Sequence, residues 1–86
     1  MIEGITKSGF KFSIREELAD DYELLELIGE IDENPAKVDA LLVKLLGKEQ
    51  KNALKEHLRG ENGIVKLTDM DNAITEIFAA FPKSKN

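Results

Sequence analysis

The chain has 86 residues, no cysteine, 42% hydrophobic side chains and a formal net charge of −5. This length makes one domain, which buries roughly 60–65% of the surface its unfolded chain exposes, and with one Tyr and four Phe its core must be mostly Leu, Ile and Val. Disulfides and thiolate metal sites are excluded, the opening MIEGITKSG is too short and polar for a signal peptide, and no apolar run nears the roughly 18 residues that span a bilayer; a soluble, intracellular protein is the expectation.

The span 2–14 reads as a β-hairpin. Phe10-Lys11-Phe12-Ser13-Ile14 alternates apolar and polar with the period of a half-buried strand, Ile5 adds an apolar position before the turn, and Lys7-Ser8-Gly9 is turn material. A hairpin alone is marginal in water, so a third strand or a helix must lie against it.

A first helix is predicted over 20–31, with acids crowding its positive end. Its apolar residues form two adjacent stripes: Leu18, Tyr22, Leu25 and Ile28, and then Leu24, Leu27 and Ile31. A surface helix carries a narrower apolar face than this. The second stripe either packs on an internal element or stays open for a partner. In the latter case Leu24, Leu27 and Ile31, rimmed by Glu23, Glu26 and Glu30, are the candidate client or self-association surface. Replacing Leu24 and Leu27 with serine then abolishes binding without unfolding, whereas a collapsed melting temperature marks the stripe as core.

A second helix is predicted over 35–46. Asn34 suits the N-cap, Pro35 the first helical position, and Val38, Leu41, Leu42, Leu45 and Leu46 keep helical spacing up to Gly47 as the C′ residue. A third helix over 48–59 has a thin stripe, Ala53, Leu54 and Leu58, and is expected to be the most exposed. After the turn Gly60–Gly63, the run Ile64–Leu67 looks like a short strand that can join the hairpin. A last helix over 69–81, capped by Thr68 with Asp71 as a capping-box partner, carries the stripe Met70, Ile74, Ile77, Phe78 and Phe81. Pro82 halts it and residues 82–86 form a polar tail. The expected fold is a single α+β domain over 1–86, mostly helical, with about four helices, a small N-terminal hairpin and room for a third short strand.

Charge is unevenly placed. Residues 16 to 33 carry nine acids and no base, whereas 34–60 carry six bases against three acids. Either each face is simply solvated, or the acidic and basic segments complement one another within one copy or head to tail between copies.

Catalytic constellations are missing from the pattern. His57 is the only histidine and sits among lysines, no G-x-x-x-x-G-K-[ST] or G-x-G-x-x-G is present, and the paired acids lack a nucleophile or an apolar pocket. ENGIVKLTD resembles half of a calcium loop, but aligning Gly63 with the loop glycine puts Leu58 and Gly60 where side-chain oxygens belong. An acyl carrier protein needs a serine at a helix start in an Asp-Ser-Leu-type site; Ser8, Ser13 and Ser84 lie in KSG, FSI and KSK. A DNA-binding regulator would have to use Lys48, Lys51, Lys55 and Arg59, yet a strand-like run follows them instead of a recognition helix, and net acidity opposes phosphate contacts. The residues therefore point to a small acidic protein-interaction domain, with neither enzyme activity, cofactor, nucleic acid nor membrane expected.

The order of segments is itself distinctive: MIEGITKSGFKFSI, an acidic DDYELLELIGEIDENP, then LLVKLLGKEQKNALKEHLRGENGIVKL, a final helix and a Lys-Asn end. It resembles the small tail assembly chaperones of long-tailed, siphovirus-type bacteriophages, encoded just before the tape-measure gene. The likeness spans nearly the whole chain and is strongest in the opening strand-turn-strand and in LLGKEQKNALKEHLR. It implies a non-enzymatic, cofactor-free protein of the host cytoplasm that is not part of the mature virion. Such proteins coat the aggregation-prone tape-measure protein while the tail tube polymerises. In many of these phages a ribosomal frameshift adds an extension thought to recruit tail tube subunits, and the codons of Lys85-Asn86 can lie on an A-rich slippery run. A homo-oligomer is a further expectation, from the uneven charge and the small core.

Overall fold

The computed structural model describes residues 1–81; the expected stop at Pro82 and the tail 82–86 lie outside them. Alternation in the first segment produces an antiparallel hairpin of β1 (Ile2–Ile5) and β2 (Lys11–Ile14), in register Ile2↔Ile14 to Ile5↔Lys11. Phe10, Phe12 and Ile14 point inward and are buried, while Ile5 sits on the outer face. Thr6 closes the turn from inside: its hydroxyl accepts from the Phe10 N–H at 3.1 Å, and Gly9 takes a φ of 94°. On the inner face, the Phe12 ring lies so close over Gly4 that a Cβ there would sit 2.6 Å from the ring tip.

After β2 the chain makes a 3-10 turn, Glu16–Asp20, which drops Leu18 into the core. Asp21 then adopts extended geometry (φ −105°, ψ 112°) before α1 (Tyr22–Ile31) begins. Its side chain caps the helix, accepting from the N–H groups of Glu23 at 2.9 Å and Leu24 at 3.3 Å. Asn34 caps the next element through the Ala36 N–H, and Pro35–Lys37 forms a 3-10 lead into α2 (Val38–Leu58). The last helix is α3 (Leu67–Phe78).

The fold is α+β, but the expected count of about four helices is corrected to three. The segments read separately as 35–46 and 48–59 form one 21-residue element in which Gly47 alone leaves helical geometry, at φ 82° and ψ 162°. The departure changes the direction of the helix. Lys51 Nζ lies 2.7 Å from Asp39 Oδ1. Along a straight helix those residues are about 18 Å apart, farther than the two side chains can jointly reach. The bend at Gly47 therefore folds the two halves of α2 towards each other, and the ion pair braces them. Only glycine enters this backbone region without strain. Gly47→Ala is expected to lower stability by about 1–3 kcal/mol, a fall in melting temperature of roughly 4–8 °C per kcal/mol for a domain of this size. Thermal unfolding checks it, and an unchanged midpoint would argue against the bend.

The third strand is also corrected. The sheet has two strands, and the segment after the Gly60–Gly63 turn contributes only the single bridge Arg59↔Val65. The free edge of β2 is occupied by one side chain instead. Gln50 accepts from the Ser13 N–H at 2.8 Å and donates to the Ser13 carbonyl at 2.7 Å. The carboxamide supplies the donor and acceptor of a neighbouring strand residue, so the edge is closed without a ladder. The expected Thr68 cap is absent as well: α3 starts two residues earlier, Lys66 stands at its cap position without a side-chain bond, and Thr68 lies within the first turn.

One core joins these elements. The hairpin gives Phe10, Phe12 and Ile14; Leu18 and Leu24 follow; α2 gives Leu41, Leu42, Leu45, Leu46 and Leu54; α3 gives Met70, Ala73, Ile74 and Ile77.

Candidate functional site

The two stripes of α1 have the opposite fates to those that define the expected partner surface. Leu24 is only 4% exposed and belongs to the core, and Leu27 and Ile31 pack against it half-buried. Glu23, Glu26 and Glu30 are exposed beside them. On the other side of the helix Tyr22 is 71% exposed, Leu25 63% and Ile28 39%. The surface of Leu24, Leu27 and Ile31 is thus corrected: it is the inner face, and the open apolar face is Tyr22, Leu25 and Ile28. The reason lies at Asp21. A stripe drawn from Leu18 through Tyr22 assumes one uninterrupted helix, but the extended residue between the 3-10 turn and α1 resets the angular phase. Leu18 turns inward while Tyr22, Leu25 and Ile28 turn out.

The outer face borders a shallow groove of about 180 Å³ between α1 and the end of α3, lined by Leu18, Leu24, Leu25, Ile28, Phe78 and Phe81. Phe78 and Phe81 are half-buried, with ring centroids 5.9 Å apart, and form its far wall. The signal that could have located this face was the Asp20-Asp21 pair just before the periodic run, a helix-start mark that places the phase origin at Tyr22.

Electrostatics at the site are one-sided. Lys44 of α2 bridges Asp21 at 3.2 Å and Glu23 at 3.6 Å, which ties the start of α1 to its neighbour. Internal complementarity between the acidic and basic segments is therefore real but local. Among the described residues, Glu17, Asp20, Glu26, Glu30, Asp32 and Glu33 make no ion pair. For Asp21, burial works against the charged form, but the Lys44 ammonium and the N–H groups of Leu24 and Glu23 outweigh it and hold the carboxyl below its ordinary 3.8. A depressed folded value means that the stability this carboxylate lends is complete above about pH 3.8 and is lost as pH falls through the lower folded value. Unfolding curves of the native chain and of Asp21→Asn should accordingly differ at neutral pH and converge in acid; a constant difference would deny the pairing.

Only part of the basic segment is engaged: among the described residues Lys44, Lys51 and Arg59 pair with carboxylates, whereas Lys37, Lys48 and Lys55 make no ion pair. Besides the Lys51–Asp39 pair, Arg59 binds Glu56 through two nitrogens at 3.0 and 2.7 Å, and donates to the Gly63 carbonyl at 2.7 Å. His57, beside Phe10, is 3.0 Å from the Ser8 carbonyl through Nε2 and fastens the hairpin turn to α2. Ala53 is exposed, whereas Leu54 is fully buried and Leu58 half-buried, so this half of α2 is pinned by fewer apolar contacts than the first. Among the described residues no group of three or more His, Asp or Glu is placed to hold a metal ion, and no helix is long and apolar enough to cross a membrane.

Compared with known proteins, the chain matches no family model, no curated protein and no solved structure.

Proposed function

We propose that the chain is a tail assembly chaperone of long-tailed bacteriophages or prophages, a non-catalytic protein that binds the tape-measure protein in the host cytoplasm and is left out of the mature virion. The observation that carries this reading is the outer face of α1, where Tyr22, Leu25 and Ile28 stand exposed together within a run of acids. Contiguous exposed apolar side chains mark interaction surfaces, and a surplus of like charge keeps such a protein dispersed while it waits for its client. A helical client suits the shape, since an amphipathic helix docks its apolar stripe into a groove between helices. The resemblance of the segment order to the chaperone group supports the same reading.

Protein is a better partner than nucleic acid. Phosphate contacts require available cations; Lys44, Lys51 and Arg59 are held by carboxylates, and the bases left unpaired among the described residues, Lys37, Lys48 and Lys55 included, work against a net charge of −5. A tail tube subunit would meet a frameshifted, longer form, which expression of the gene with its downstream DNA would reveal as a second product. The decisive test is co-expression with the tape-measure protein encoded beside it. The soluble fraction of that protein should rise several-fold over expression alone; no change would overturn the proposal.

A further inference from the structure

We propose that the groove between α1 and the end of α3 takes an amphipathic helix of a partner protein whose apolar stripe is bordered by lysine or arginine. The inference rests on the reading of the chain as a binder of helical clients and specifies the chemistry of the client. Tyr22, Leu25 and Ile28 recur every three residues and form a strip along α1 about 9 Å long. That length faces about two turns of a second helix. Gly29 lies on the same face with nothing within 4 Å of where a Cβ would be, so a partner backbone can approach closely.

Charge selects among possible helices. Glu26 follows Tyr22 by four residues and Asp32 follows Ile28 by four, so carboxylates neighbour the strip along the helix surface. Neither has an ion-pair partner among the described residues, and no base occurs between Glu16 and Glu33. A client bordered by acids meets repulsion along the whole contact, whereas one bordered by bases pairs on the rim while its apolar residues fill the centre. A second copy of this chain presents the same acidic strip to itself, which disfavours a symmetric pairing of the two grooves.

Two designed peptides of about 18 residues, long enough to be helical, share a leucine stripe and differ only in bordering it with lysine or with glutamate. Titration calorimetry measures both against the full chain. Tyr22, the only tyrosine in a chain without tryptophan, reports contact through its fluorescence. The lysine-bordered helix should bind, the glutamate-bordered one about tenfold or more weakly, and Leu25→Ser with Ile28→Ser should weaken the former by about tenfold. Tyr22→Ser, at a more exposed position, gives the same direction if the double variant proves poorly folded. Equal binding of both peptides, binding indifferent to these substitutions, or a self-association that buries Tyr22 and excludes both peptides would each overturn the assignment. If the double variant still solubilises the tape-measure protein, the chaperone reading stands and the groove assignment falls. If the native chain binds the lysine-bordered helix but does not solubilise that protein, the reverse holds.

Discussion

Leu54→Ala is expected to lower the stability of the domain by about 2–5 kcal/mol, the range for truncating a fully buried leucine. The second half of α2 carries few apolar residues, and Leu54 is its one side chain with no exposed surface, so little else there can compensate. Total stability for a domain of this length is on the order of 4–13 kcal/mol. The variant should therefore lose a large part of it, with the bend at Gly47 and the Lys51–Asp39 pair losing the packing that holds the second half down. Chemical denaturation measures the change. A loss below about 1 kcal/mol would mean that this half of α2 is not docked on the core.

The second large effect separates the two sides of α1. Leu24→Ser removes a buried leucine and leaves a hydroxyl in the core, a combined loss of about 3–6 kcal/mol. Leu25→Ser, one residue on, should stay within about 0.5 kcal/mol of the native chain, because Leu25 is 63% exposed. The contrast is read from paired denaturation curves. Similar losses at the two positions would contradict the assignment of faces.

Much of the architecture was legible because local pattern and tertiary need agree. The alternation from Phe10 to Ile14 matches the buried face of β2. The spacing of Leu41, Leu42, Leu45 and Leu46 matches the core face of α2, and Met70, Ile74 and Ile77 match that of α3. Asn34 with Pro35 marks a helix start through cap chemistry that acts within a few residues.

What remained hidden depends on single residues whose effect is global. The extended geometry of Asp21 rotates every later position of α1 relative to Leu18, so the stripe drawn through Leu18, Tyr22, Leu25 and Ile28 splits between core and solvent. Gln50 closes the edge of β2 from 37 residues away, a bond that no periodicity encodes, and the strand expected in its place never forms. Gly47 was visible as a break with helix on both sides, but the sequence does not say that the chain turns back there far enough for Lys51 to reach Asp39. The candidate site inherits the first of these errors. Leu24, Leu27 and Ile31 have the spacing of a binding stripe, and so does any core stripe.

The most direct test of the outer face of α1 as the binding surface is a map of backbone amide chemical shifts of the full chain with and without the lysine-bordered helix. Changes concentrated at Tyr22, Leu25, Ile28, Phe78 and Phe81, with little movement around Lys48, Lys55 and His57, are predicted. Changes centred on the latter group, on the opposite charge of the molecule, would contradict it.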